Sequence, residues 1–221
     1  MELYDVMRTT SAVREFTDEP LPDDVLDTIL ENARFAPSGG NRQGTQIVVV
    51  RDMDARRKLA ELTRTGARRY TAQKAAGEGP WNPVVPTRLS NEEIAATDVP
   101  DFWTTPVLAA AVVLVVCVDL LAVAAVDQDL DRIGIIGGAS VYPLVWNILL
   151  AARNEGFGGT ITTMAVAEEP RVRELFGIPD DYAIAAVVPI GKPVRQLTKL
   201  TRVSVEDLAR HETWDGGPLP S

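Results

Sequence analysis

Residues 107–126, VLAAAVVLVVCVDLLAVAAV, are almost wholly apolar, and any fold available to this chain must hide them. About twenty apolar residues suffice to cross a bilayer as a helix. Three features argue against that reading. Asp119 interrupts the run, β-branched residues concentrate in Val112 to Val118, and Pro106 stands where a strand would begin. The run therefore reads as a buried central strand followed by a helix, with no membrane partner. At 221 residues the chain can enclose one sizeable core, so 1–221 reads as a single domain. A net charge of -9 with no basic cluster disfavours a nucleic-acid partner. The start MELYDVMRTT has acids at Glu2 and Asp5 and no apolar segment, so it does not read as a secretory signal. Cys117 is the lone cysteine, which removes a disulfide framework and fits a reducing cytoplasm.

Around that strand the pattern is mixed. Leu3, Val6 and Met7 predict a short helix ending near Thr9-Thr10, and Pro22-Asp23-Asp24 opens a second whose apolar positions Val25, Leu26, Ile29 and Leu30 recur at helical spacing up to Pro37. Gln46 to Arg51 reads as a strand and Asp54 to about Gln73 as a charged helix. Gly77 to Thr105, with Pro80, Pro83, Pro86 and Pro100 beside Trp81 and Trp103, reads as a long irregular excursion of the lid or binding-loop kind. Val141 to Ala152 is apolar all round, predicting a buried helix stopped by Gly156. Gly159 to Met164 and Tyr182 to Ile190 read as strands, Pro170 to Phe176 as a helix, and 192–221 as a polar C-terminal arm. Strands and helices mix without regular βαβ alternation, so the class is α+β.

Catalytic side chains are scarce. His211, the single histidine, lies in the arm, so a Ser-His-Asp triad, a His-based metal site and a Cys-His pair all lack parts. No phosphate-binding glycine motif follows a strand. The carboxylate pairs Asp23-Asp24 and Glu168-Glu169 sit where helix N-termini favour acids. A cofactor is then the natural source of chemistry. Ala36-Pro37-Ser38-Gly39-Gly40-Asn41-Arg42-Gln43, between a helix and the apolar run Ile47 to Val50, is the stretch best suited to meet one, because small residues let a planar ligand approach the backbone. The same eight residues also make an ordinary helix-to-strand turn, and alone they leave both readings open.

Five segments in order decide further: RTTSAVREFTDEPLPDDVLDTILENARFAPSGGNRQ, VYPLVWNILLAARNEGFGG, TITT, ELFGIPDDYAIAAVVPIGKP and KLTRVSVEDL. Together they resemble the FMN-dependent nitroreductase family from end to end. The resemblance implies a mixed or antiparallel sheet flanked by helices, an intertwined homodimer with an extended C-terminal arm, and two FMN molecules at the subunit interface. It implies NADH or NADPH as donor and a small-molecule electron acceptor, with the chemistry carried by flavin N5 rather than by a side chain.

Site residues follow from the same match. The family shows Arg-Arg-Ser-x-Arg ahead of its Phe, whereas this chain has Thr10-Ser11-Ala12-Val13-Arg14 ahead of Phe16, so the usual first Arg is missing. Arg8 is the substitute for the FMN phosphate, Thr9, Thr10 and Ser11 offer hydroxyls, and Arg14 matches the basic residue near the pyrimidine edge. Arg202, assisted by Lys199, matches a phosphate-binding Arg of the arm. Pro37, Ser38, Gly39, Asn41 and Gln43 fall on the loop that meets the flavin of the partner subunit, and Ser140 falls near the ring edge. Ile161, Thr162 and Thr163 match the strand whose backbone covers the N5 side. The family's Gln-Pro-Trp continuation is replaced by Gln43-Gly44-Thr45. Three functions follow: a ping-pong NAD(P)H oxidoreductase acting on nitroaromatics or quinones, a flavoprotein performing reductive dehalogenation or flavin fragmentation, and a non-catalytic flavin-binding protein.

Overall fold

The computed structural model describes residues 1–219. Its spine is a four-stranded antiparallel sheet in the order β1-β2-β4-β3, formed by Thr45–Val50 (β1), Val112–Asp119 (β2), Gly158–Gly159 (β3) and Tyr182–Gly191 (β4). Strand β2 is central and buried almost throughout. Because successive side chains point to opposite faces, Val112, Leu114, Val116 and Val118 enter one core while Val113, Val115 and Cys117 enter another. Helices Asp23–Ala33 (α2) and Tyr142–Asn154 (α6) cover the first face; Met53–Ala75 (α3) and Glu169–Phe176 (α7) cover the second. An antiparallel strand with both faces covered explains why its sequence runs apolar instead of alternating. Burial pushes the Cys117 thiol up to about 11, so it is core and not a nucleophile. No helix among the described residues is long and apolar enough to cross a membrane.

Several boundaries differ from the sequence expectation. Pro106 begins no strand: it lies in the first turn of a short helix, Thr105–Ala109 (α5), where its missing N–H costs nothing, and β2 starts at Val112. No helix follows β2. The Asp119 carboxylate accepts from Leu121 N–H at 2.8 Å, turning the chain into irregular structure that lasts to the 3₁₀ turn Ile136–Ser140. Helix α2 stops at Ala33, short of Pro37. Only β3 and a single bridge from Thr162 to Val187 represent the strand expected over Gly159 to Met164. The excursion 77–105 contains a helix, Asn91–Ala95 (α4), closed by a reciprocal Ser90/Glu93 capping box. Helix α6 buries Val145, Ile148, Leu149 and Ala152 but leaves Tyr142 and Trp146 about 40% exposed, so it is not buried all round. Leu3–Thr9 (α1) packs on α6, and Val205–Leu208 (α8) is the one helix of the mostly exposed arm among the described residues.

Candidate functional site

The segment after α1 folds back along the sheet edge. Val13 donates its N–H to Gly159 at 2.9 Å, and Ala12 bridges the same glycine in parallel. Arg14 is thereby set beside Thr160 to Met164, and with Tyr70 and Trp103 these residues line a cavity of about 210 Å³. A second cavity of about 380 Å³ shares Tyr70, Thr163 and Met164 and adds Gly66, Pro80 and Trp81. Gly66 is required where it stands, since a Cβ there would lie 2.2 Å from the Met164 carbonyl oxygen. Tyr70 and Trp103 meet edge to face at 4.8 Å, and the Trp103 indole donates to the Thr71 hydroxyl. Along the floor, Thr162 exchanges both backbone hydrogen bonds with Val187. The N–H groups of Ile161 and Thr163 meet no acceptor within the chain, among the described residues.

The loop after α2 lies elsewhere. Gly39 donates its N–H to Ser140 Oγ at 3.1 Å, Gln43 donates its N–H to Ser38 Oγ at 2.9 Å, and Arg42 reaches the Ala122 carbonyl. Pro37 leads into this turn, and Gly40, Asn41 and Gln43 all hold positive φ. Gly39 itself does not; the left-handed glycine is Gly40. The departure at Gly44 has a local cause, because a Cβ there would sit 2.5 Å from that of Ala122 and the Gly44 carbonyl accepts from Asp119 N–H. The loop and the cavity lie toward opposite edges of the sheet. Thr45 is level with Val118 and Ala183, whereas Thr162 is level with Val187. Four residues along β4 and three strand spacings across it separate them by roughly 13 Å and 14 Å.

A third group surrounds Thr9. The Thr9 hydroxyl donates to the Asp5 carbonyl and accepts from Arg153 Nε at 3.1 Å, while Gln196 of the arm donates to the Thr9 carbonyl. Thr10 is buried and its hydroxyl donates to the Val6 carbonyl at 2.7 Å. Both threonine hydroxyls donate to carbonyls of α1 in this arrangement. Arg8 and half-buried Ser11 remain beside them. Lys199 and Arg202 stand exposed on the arm, and the Arg202 guanidinium donates only to its neighbour's carbonyl, Thr201. Arg153, Tyr70, Trp81 and Trp103 were not anticipated as site residues. Gly66 and Tyr70, four apart on one helix, were the available signal, since a glycine inside a helix marks close approach.

Comparison with known proteins agrees with this architecture. The profile described as "Nitroreductase family" matches residues 7–192. Similar proteins include the FMN reductase (NAD(P)H) of Bacillus subtilis, 27% identical over 92% of this chain and 70% of that protein. Iodotyrosine deiodinase 1 of Rattus norvegicus is 26% identical over 89% of this chain, which spans only 64% of that relative's length. Among solved structures, the NADPH:FMN oxidoreductase of Vibrio harveyi complexed with NAD+ superposes with a TM-score of 0.68 at 21% identity, over 98% of this chain and 80% of that one. Fold and family match define the class, an oxidoreductase of the nitroreductase type. The chain belongs to the nitroreductase family.

Proposed function

We propose that this chain is an NAD(P)H oxidoreductase that reduces nitroaromatic, quinone or related small acceptors, working as a cytoplasmic homodimer in which both chains build each flavin site. One observation carries the reading. In a single chain the sheet holds the Ser38–Gln43 loop and Ser140 away from the cavity of Arg14, Ile161, Thr162 and Thr163, a separation that supports a flavin site shared between two subunits.

The groups present suit FMN. The unpaired N–H groups of Ile161 and Thr163 offer donors to the flavin edge without a titrating side chain. In a chain of net charge -9, Arg8, Arg14, Arg153 and Arg202 have no acidic partner among the described residues. Arg14 would face the pyrimidine edge; Arg8, Ser11 and Arg153 would take the phosphate, joined by Arg202 and Lys199 through movement or pairing of the arm. FMN held there would supply hydride transfer between NADH or NADPH and the acceptor. The chain's own residues bind, orient and exclude water.

Similarity to proteins named iodotyrosine deiodinase, together with the 77–105 excursion over the cavity, supports reductive dehalogenation as the second reading. Purified protein should be yellow, bleach with NADH or NADPH, and recover with a quinone or nitroarene, giving parallel steady-state lines. Bleaching only by dithionite would overturn the first reading; iodide release from 3-iodo-L-tyrosine as the sole turnover would select the second.

A further inference from the structure

Trp81, in the excursion after α3, holds φ at +53°, a conformation that costs a bulky residue strain unless its surroundings impose it. Three contacts do so. Its N–H donates to Oε1 of buried Gln73 at 3.0 Å, its indole Nε1 donates to the Gly66 carbonyl at 3.1 Å, and the Arg69 guanidinium lies 4.3 Å from the ring centroid. Gln73 is itself tied to Glu78, whose carboxylate also accepts from the Thr87 hydroxyl and the Arg88 N–H. Trp81 is 40% exposed despite this pinning, and it lines the larger cavity with Tyr70, Gly66 and Met164. That lining carries no carboxylate, ammonium or guanidinium. The nearby acids are engaged: Glu78 as described, and Asp101 with Arg64.

We infer that Trp81 is the specificity-determining wall of the acceptor cavity, offering a fixed indole face to planar, uncharged aromatic acceptors and no free carboxylate in its lining for the ammonium of an α-amino acid. The inference rests on the proposed placing of FMN in the adjoining Arg14–Thr163 cavity. Strain at a ligand-facing aromatic, held by three independent contacts, is what preorganisation of a stacking surface requires.

The test compares menadione with 3-iodo-L-tyrosine on the FMN-loaded enzyme and on two variants. Trp81→Gly suits the positive φ and removes the ring; Trp81→Phe keeps a stacking face. Trp81→Gly should raise KM for menadione at least ten-fold while FMN content stays within two-fold of wild type, and Trp81→Phe should restore most of the loss. Unchanged KM in Trp81→Gly would overturn the inference. So would a wild-type kcat/KM for 3-iodo-L-tyrosine above that for menadione, a result that needs no variant to fold. Wild-type protein that holds no FMN, or is not bleached by NAD(P)H, would instead overturn the proposed function.

Discussion

Gly39 and Gly40 look interchangeable in sequence, yet the fold uses them differently. Gly40 supplies the left-handed turn, whereas Gly39 presents its N–H to Ser140 and has only 3.2 Å between an added Cβ and that hydroxyl oxygen. Gly39→Val therefore strains no backbone dihedral; it pushes Ser140 aside and thickens the loop where a flavin ring would approach. Flavin content and NAD(P)H-dependent turnover should fall together in this variant, with the dimer intact by light scattering. Full flavin and full activity would reduce the loop to a turn. The role of Gly40, like the strain at Trp81, was not legible beforehand, because positive φ is decided by what the neighbouring segments leave free.

Elements were legible where one pattern governs a whole segment. The unbroken β-branched run of β2 and the helical spacing of α2 both matched what the fold buries, since the core rewards a pattern sustained over its whole length. The segment after β2 was misread for the opposite reason: one side chain organises it. Buried Asp127 accepts from the N–H groups of Ile135 and Ile136 and pairs with Arg132 at 2.8 Å, and these partners hold its carboxyl down at about 2, from an ordinary 3.8. The folded state thus binds fewer protons there than the unfolded chain. The resulting stability is complete above pH 4 and disappears as pH falls from 4 to 2. Melting temperature measured from pH 5 to 2 should drop across that window in wild type and flatten in Asp127→Asn. Arg56 does comparable work at the other end of β2, its buried guanidinium donating to the carbonyls of Val50, Ala110 and Ala111. Arg56→Met keeps the stem but strands those acceptors, and urea unfolding should register a loss of about 2–3 kcal/mol.

At the scale of the whole molecule, Leu3, Tyr4 and Met7 of α1 and Tyr142 and Trp146 of α6 remain open to solvent on two helices that pack together. A second copy of the chain is the cover proposed for them. Trp146→Asp should give a monomer by light scattering that has also lost its flavin, and wild-type melting temperature should rise with protein concentration. A flavin-loaded wild-type monomer at micromolar concentration would contradict the assembly. The separation of the loop from the cavity by the width of the sheet has a genetic counterpart. Two inactive alleles, one damaged at Arg14 and one at Gly39, should rescue each other when co-expressed. Each mixed pair would carry one site with both defects and one with neither, so random pairing restores about a quarter of wild-type activity. Two alleles damaged on the same side of the sheet, at Arg14 and Thr163, should give no such rescue.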